Sequence, residues 1–167
     1  MAEPATTLFV DPDVAIITWR NIYTVVWRNE TTLRASEMVH KRCEEFARRH
    51  VEGVGMLTVV TANAPMPPSE SRERLARFMR EGTYVMASAV AFEGTGFRAA
   101  AIRSVVTGLT MLARQPFPHK IFATLEDASG WLATQLREKG IGRCIDLELS
   151  DAIATSREQF PRTQRAG

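Results

Sequence analysis

The sequence predicts an α/β domain built on a small mixed β-sheet that begins with a hairpin, with about four helices beside the sheet. Two runs rich in β-branched and aromatic residues, separated by two polar residues, predict the hairpin. Short apolar runs then alternate with segments of helical spacing. This order predicts a largely parallel sheet, because parallel neighbours need crossover connections. The 167 residues, 45% hydrophobic and 24% charged, suit one globular domain.

The hairpin consists of Val14–Trp19 and Ile22–Trp27, with Arg20 and Asn21 as its turn. Arg-Asn is not the turn pair that two-residue hairpins favour most, so the sequence leaves the exact register open. A shorter strand over Thr7–Val10 precedes the hairpin and ends at the sequence DPD.

An amphipathic helix is predicted over residues 31–50, with Thr31 or Thr32 as its cap and the sequence VEGVG as its end. Its apolar side chains recur at helical spacing: Leu33, Ala35, Met38, Val39, Cys43, Phe46 and Ala47. The run MLTVVTA (56–62) is continuously apolar at its start and predicts a central strand covered on both faces.

The second half of the chain continues the alternation. The predicted helices span residues 69–82, 98–114 and 124–140, and the predicted strands span residues 83–92, 119–124 and 143–152. Thr124 and Asp127 resemble a capping box, and Gly82 and Gly140 mark helix ends. The last strand is predicted from the alternation of Ile145, Leu147 and Leu149.

We therefore expect an N-terminal segment over residues 1–12, one domain over residues 13–150 and a mobile tail over residues 151–167. Cys43 and Cys144 follow no metal-ligand spacing, which favours a reduced chain in the cytoplasm. No basic and apolar leader is present at the start, and no apolar run is long enough to cross a bilayer.

The net charge is only +2, and the arginines, which far outnumber the lysines, are interspersed with glutamates. A nucleic-acid-binding protein usually carries a concentrated basic surface. The composition therefore argues against a nucleic-acid partner.

With its elements in this order, the chain resembles the STAS family in its SpoIIAA-like branch, the sulphate-transporter and anti-sigma-factor-antagonist domains. The resemblance covers about residues 13 to 138. It is carried by the serine-bearing helix start at Ser69 and Ser71 and by VAIITWRNIYTVVW, MLTVVTA, VMASAVAFEGTGFRAAAIRSVVTGL and HKIFATLEDASGWL. It implies helices packed mainly on one face of the sheet, and action by protein–protein contact without catalysis.

The resemblance also implies a regulatory serine at the start of the helix after the third strand, phosphorylated by a partner kinase. Ser69 is the nearest positional match and Ser71 the next. The family's site usually lies in a short Asp-Ser-Ser-Gly-like turn, whereas this chain reads NAPMPPSES at residues 63–71. The simpler interpretation of both serines is helix capping.

Two further sets of residues are candidate contacts. Trp19, Tyr23 and Trp27 would form a partner or homodimer interface if the hairpin lies at the edge of the sheet. Thr95, Gly96 and Arg98 precede or begin a helix and are candidate anion contacts, although a plain strand-to-helix turn is the simpler interpretation.

The histidines and cysteines indicate no enzyme. His40 and Cys43 lie three residues apart on one helix, with His50 and Cys144 as further conceivable ligands. Cys43, however, falls on the apolar stripe and is more typical of a buried structural cysteine. His119 has no nucleophile or carboxylate partner that the sequence identifies. We expect no catalytic residues, no metal and no cofactor.

Two functions remain open. The first is a STAS-like regulatory or scaffolding module that binds a protein partner or a second copy of itself. The alternative is a carrier for a small apolar or lipid-like ligand, held between the sheet and the helices that begin near residues 97 and 125.

Overall fold

The structure of the chain is a computed structural model, and it describes residues 3–142 and 146–161. It contains six strands: β1 (Thr6–Val10), β2 (Val14–Trp19), β3 (Ile22–Trp27), β4 (Val54–Val60), β5 (Val85–Phe92) and β6 (His119–Phe122). Its helices are α1 (Leu33–Ala47), α2 (Ser69–Glu81), α3 (Phe97–Ala113), α4 (Leu125–Glu138) and α5 (Asp146–Glu158). The predicted mixed α/β fold class is confirmed.

The six strands form one sheet in the order in which they occur along the chain. β1, β2 and β3 are antiparallel neighbours, whereas β3, β4, β5 and β6 are parallel. Trp19 pairs with Ile22, so Arg20 and Asn21 form the two-residue turn that the sequence predicts. β1 extends the sheet beyond the hairpin, so Thr6–Val10 of the predicted N-terminal segment belong to the sheet.

α1, α2 and α3 lie on one face of the sheet. Each connects two parallel strands, and each new strand is added on the same side of the previous one. Because such crossovers have a strong preference for one hand, they all fall on the same face. A buried cluster joins α1 and α2 to this face and includes Tyr23, Val39, Phe46, Met56 and Phe78.

α4 and α5 cover the opposite face, because both follow the last strand and must pack where the crossovers leave the sheet bare. Their buried cluster includes Leu57, Ala89, Leu132, Leu149 and Ile153. The helices are thus divided three and two between the faces, which corrects the expectation that they pack mainly on one face. The close contact of α4 with the sheet depends on Gly55, where an added Cβ would lie 2.7 Å from Leu136 Cδ1.

The predicted strand over residues 143–152 and the predicted mobile tail from residue 151 are wrong over the part of the chain that is described. Asp146–Glu158 form α5, whose Leu149 and Ile153 are fully buried. Leu147, counted as an inward strand residue, is 71% exposed. The real signal is the helical spacing of Leu149, Ala152, Ile153 and Ser156, which small residues made inconspicuous. Ile145 and residues 162–167 lie outside the described residues.

One end of each of three helices agrees with the sequence analysis. Thr32 caps α1 by accepting a hydrogen bond from the Ala35 N–H at 3.1 Å, and Thr124 caps α4 by accepting one from the Asp127 N–H at 3.1 Å. Gly82 is the C-cap of α2, as predicted. Within the described residues, no helix has the length and apolar character needed to cross a membrane.

Candidate ligand-binding cavity

A cavity of about 220 Å³ lies on the face of the sheet that carries α1, α2 and α3. Strands β3 to β6 form its floor, and the three helices form its walls and cover. The lining is mostly apolar and comprises Val25, Trp27, Thr31, Val39, Met56, Thr58, Val60, Met66, Pro67, Arg72, Leu75, Ala76, Phe78, Met79, Ser88, Val90, Phe92, Ile102, Val106, Gln115 and His119. This is the composition that small-molecule sites in proteins usually show.

The alternation of side chains along the strands explains why the floor is open. Alternate residues of a strand face the same side of a sheet, and three of the residues that face the cavity, Thr58, Ser88 and Val90, are small. On the opposite face, α4 and α5 press against the strands and the core is filled. Among the described residues, the sheet is therefore tightly packed on one side and leaves a cavity on the other.

α3 contributes Ile102 and Val106 to the cavity. Its start is held to the end of β5 by Arg103, whose Nη1 donates to the carbonyl oxygens of Phe92 at 3.4 Å and Gly94 at 3.3 Å. Phe97, the first residue of this helix, is 91% exposed. α3 thus covers the cavity while its first turn stays outside the core.

His119 is the unusual polar residue of the cavity. Both ring nitrogens are buried, and neither has a hydrogen-bond partner among the described residues. Burial lowers the pKa of His119 to about 4, because a charged imidazolium is poorly stabilised away from water. The imidazole is therefore neutral at physiological pH, with one nitrogen able to donate a hydrogen bond and the other able to accept one.

The hairpin aromatics are core residues, which contradicts the predicted interface. Trp19, Tyr23 and Trp27 are 1%, 0% and 4% exposed. Trp19 Nε1 donates to the Glu3 carbonyl at 2.8 Å, and the Tyr23 hydroxyl donates to the Val39 carbonyl at 3.0 Å. β1 covers the edge at which the hairpin was expected to lie. Trp27 contributes to the cavity instead.

Neither Ser69 nor Ser71 caps α2, which corrects the capping interpretation. The N-cap position is Pro68, and no side chain accepts a hydrogen bond there. Ser69 is exposed in the first turn, whereas Ser71 is 1% exposed. Phosphorylation of Ser69 stays a prediction, and at Ser71 a kinase would meet a buried hydroxyl.

The predicted anion contacts lie at the start of α3. Gly96 is the N-cap, with a φ of 90° that favours glycine, and no side chain caps the helix. Thr95 and Gly96 are exposed, and the side chain of Arg98 lies outside the description. An anion contact here stays a prediction.

His40 and Cys43 are both buried against the sheet on α1. The His40 Nε2 atom lies 3.2 Å from a carboxylate oxygen of Glu44, and burial raises the pKa of the Cys43 thiol to about 12. Cys43 is therefore a buried, unreactive thiol, as its position on the apolar stripe indicates. Over residues 3–142 and 146–161, no three His, Cys, Asp or Glu side chains are grouped so that they could hold a metal ion. Cys144 lies outside the described residues.

The sequence analysis predicted a ligand pocket between the sheet and the helices that begin near residues 97 and 125, and ligand binding there stays a prediction. α3 covers the cavity, but α4 packs on the other face of the sheet. The roles of α1 and α2 in the wall, and of His119 in the lining, were missed. A histidine in a short strand after PFP gives no signal that distinguishes a cavity residue from a loop residue.

Comparison with known proteins gives one structural likeness and no matching family. No family model matches the sequence, and no curated protein matches it. Among solved structures, the chain is similar to an uncharacterised protein of the DUF3478 family from Shewanella loihica PV-4, described as having a SpoIIAA-like fold. The identity is 14%, the alignment covers 77% of this chain and 91% of that chain, and the TM-score is 0.42.

Proposed function

We propose that the chain is a non-enzymatic binding module that holds one small, largely apolar molecule in the cavity between the sheet and α1, α2 and α3. The observation that supports the proposal is the cavity itself. Interiors of folded proteins are close-packed, and unfilled space of this size weakens a core. A ligand that fills the cavity restores the missing contacts and removes its own apolar surface from water.

The volume sets the size of the ligand. An engineered cavity of about 150 Å³ in another protein binds benzene, so by proportion a cavity of 220 Å³ accommodates about nine heavy atoms. Ethylbenzene and indole are suitable probes. We expect dissociation constants of about 1 mM or tighter, which corresponds to roughly 0.5 kcal/mol per heavy atom.

Isothermal titration calorimetry with ethylbenzene tests the proposal. Val90→Phe places an aromatic ring in the cavity and should weaken binding at least tenfold, on the order of 1.4 kcal/mol. Val51→Phe, at a side chain that is 94% exposed, adds the same group at the surface and should leave binding unchanged. Binding should also show a negative heat-capacity change, the mark of apolar burial.

A second variant, Leu75→Ala, should enlarge the cavity, whereas Val90→Phe should reduce its volume. Leu75 lines the cavity, and its truncation makes room for a larger probe such as naphthalene. The ratio of naphthalene to ethylbenzene affinity should rise. The proposal fails if no probe binds the folded wild-type protein, or if Val90→Phe and Val51→Phe bind ethylbenzene equally well.

A protein-contact function is the second candidate, and the edge of the sheet at β1 favours it. Thr6, Thr7 and Leu8 are exposed, and the strand TTLFV carries no charged residue of the kind that commonly protects sheet edges. A second copy of the chain could add its own β1 here and extend the sheet, which would give the homodimer of the first function that the sequence analysis left open.

Light scattering after size-exclusion chromatography tests the homodimer. Leu8→Lys puts a charge on the edge and should convert a dimer to a monomer without loss of fold. Lys120, exposed on the opposite edge strand β6, offers a control in Lys120→Leu. A wild-type protein that is monomeric at high concentration would contradict this candidate.

A further inference from the structure

The uncharged and charged polar side chains of the cavity lie in different places, and this arrangement indicates which polar group a ligand would carry. His119 begins β6 and pairs in the ladder with Ser88 of β5, so the two side chains lie side by side on the cavity floor. Among the described residues of the lining, the charged side chain is that of Arg72, which is exposed on α2. The described polar groups beside β5 and β6, which include Ser88 and His119, are therefore uncharged at physiological pH.

A buried imidazole with no hydrogen-bond partner among the described side chains is costly, because these side chains do not replace the hydrogen bonds that its nitrogens make to water in the unfolded chain. The cost is removed if the ligand itself supplies a hydrogen-bonding group. A neutral imidazole presents both a donor and an acceptor, so a hydroxyl or a primary amide, each of which can donate and accept, can pair with either nitrogen.

A charged ligand group fits this position poorly. An ionised carboxylate or ammonium in an apolar cavity needs a buried charge of opposite sign, and burial alone holds His119 in its neutral form. Arg72 could meet a carboxylate only at the exposed wall of α2. A ligand with an uncharged polar group would therefore bind at His119, whereas a ligand with a carboxylate would bind at Arg72.

We propose that the cavity selects a small amphiphile whose single uncharged hydroxyl or amide group is bound by His119 and whose hydrocarbon body lies over Thr58 and Val90. This inference rests on the proposed function, since it assigns the ligand class of the same cavity. His119 is then the specificity-determining residue, and Ser88 is its neighbour on the cavity floor.

Calorimetry at pH 7.5 with octan-1-ol, sodium octanoate and ethylbenzene tests the inference on wild type, His119→Phe and His119→Gln. Octanol should bind the wild type at least tenfold more tightly than octanoate. His119→Phe should lower the ratio of octanol affinity to ethylbenzene affinity about fivefold, the effect of one lost hydrogen bond. His119→Gln, which keeps an uncharged donor and acceptor, should retain most of the preference.

A measurement on the wild type alone guards against a variant that does not fold. Octanol should shift the ¹⁵N resonances of the His119 ring more than ethylbenzene does. The inference is overturned if the octanol to ethylbenzene ratio is the same in wild type and His119→Phe, or if octanoate binds more tightly than octanol and loses that advantage in Arg72→Gln. In both cases the cavity still binds ligands and the proposed function stands, whereas failure of every probe removes both.

Discussion

Ser88 and His119 are partners in the parallel ladder between β5 and β6, and both side chains face the cavity. The backbone holds this end of the ladder firmly, because the Ser88 N–H donates to the Pro118 carbonyl at 2.9 Å. The position of the imidazole is thus fixed by the sheet, and its nitrogens have no hydrogen-bond partner among the described residues. His119 is therefore well placed to form a hydrogen bond with a ligand, and we expect its side chain to contribute little to the stability of the ligand-free protein.

The first prediction concerns the stability of the ligand-free protein. His119→Phe replaces two unpartnered buried nitrogens with carbon in a ring of similar shape, so it should change the free energy of unfolding by less than about 1 kcal/mol or increase it. Urea unfolding at pH 7.5 measures this. A loss of more than about 2 kcal/mol would mean that His119 makes stabilising interactions in the free protein, contrary to our interpretation.

The second prediction concerns pH. The pKa of His119 is about 4 in the folded chain and about 6.5 in an unfolded one, so between these values the unfolded chain binds a proton that the folded chain does not. Stability should therefore fall as the pH is lowered through this window, by up to about 3 kcal/mol from this group. His40 and His50, whose pKa values are also lowered by burial, act in the same direction.

Urea unfolding of wild type and His119→Phe at a series of pH values isolates the contribution of His119. As the pH is lowered from 6.5 to 4, the free energy of unfolding of the wild type should fall relative to that of His119→Phe. A difference that is independent of pH between 4 and 6.5 would show that His119 does not titrate as its burial implies.

The third prediction concerns α5. Leu149 is fully buried and Leu147 is 71% exposed, although they lie two residues apart on the same helix. Leu149→Ala should cost about 2 to 5 kcal/mol in the free energy of unfolding, because it leaves a cavity against α4 and the sheet. Leu147→Ala is the matched control and should cost less than about 0.5 kcal/mol. Equal effects of the two substitutions would support the strand or mobile-tail interpretation of this segment.

The sequence predicted most elements because their signals are local. Each of these signals determines the structure of only the few residues around it. They are the β-branched runs beside Arg20 and Asn21, the caps at Thr32 and Thr124 and the helix end at Gly82. α5 was missed because its buried face uses alanine and serine beside Leu149 and Ile153. Small residues give a weak helical pattern of hydrophobicity. Leu147, together with Ile145 and Leu149, gave instead the alternating pattern that is typical of a strand.

The cavity is harder to predict for a different reason. Its lining comes from seven elements and loops, and its size depends on how α3 lies over the sheet, which no local pattern encodes. The aromatic side chains of the hairpin were assigned to an interface because the sequence cannot tell which strand lies at the edge. β1 turned out to occupy that edge, so Trp19 and Tyr23 became core residues.

The fourth prediction separates the serines from the true caps. Thr32→Ala should cost about 1 kcal/mol, since it removes the hydrogen bond to the Ala35 N–H. Ser69→Ala should cost less than about 0.3 kcal/mol, because Ser69 lies inside the first turn of α2 and accepts no capping bond. Thermal or urea unfolding of both variants measures the difference. A cost at Ser69 as large as that at Thr32 would restore the capping role.

The most direct test of the account is a crystal structure of the protein grown with saturating octan-1-ol. We predict continuous ligand density between the sheet and α1, α2 and α3, with the ligand hydroxyl within about 3 Å of a His119 ring nitrogen. A well-ordered structure in which this space is filled by repacked side chains of α3, or in which it is open and holds no octanol, would contradict the claim that the fold is built around a small ligand.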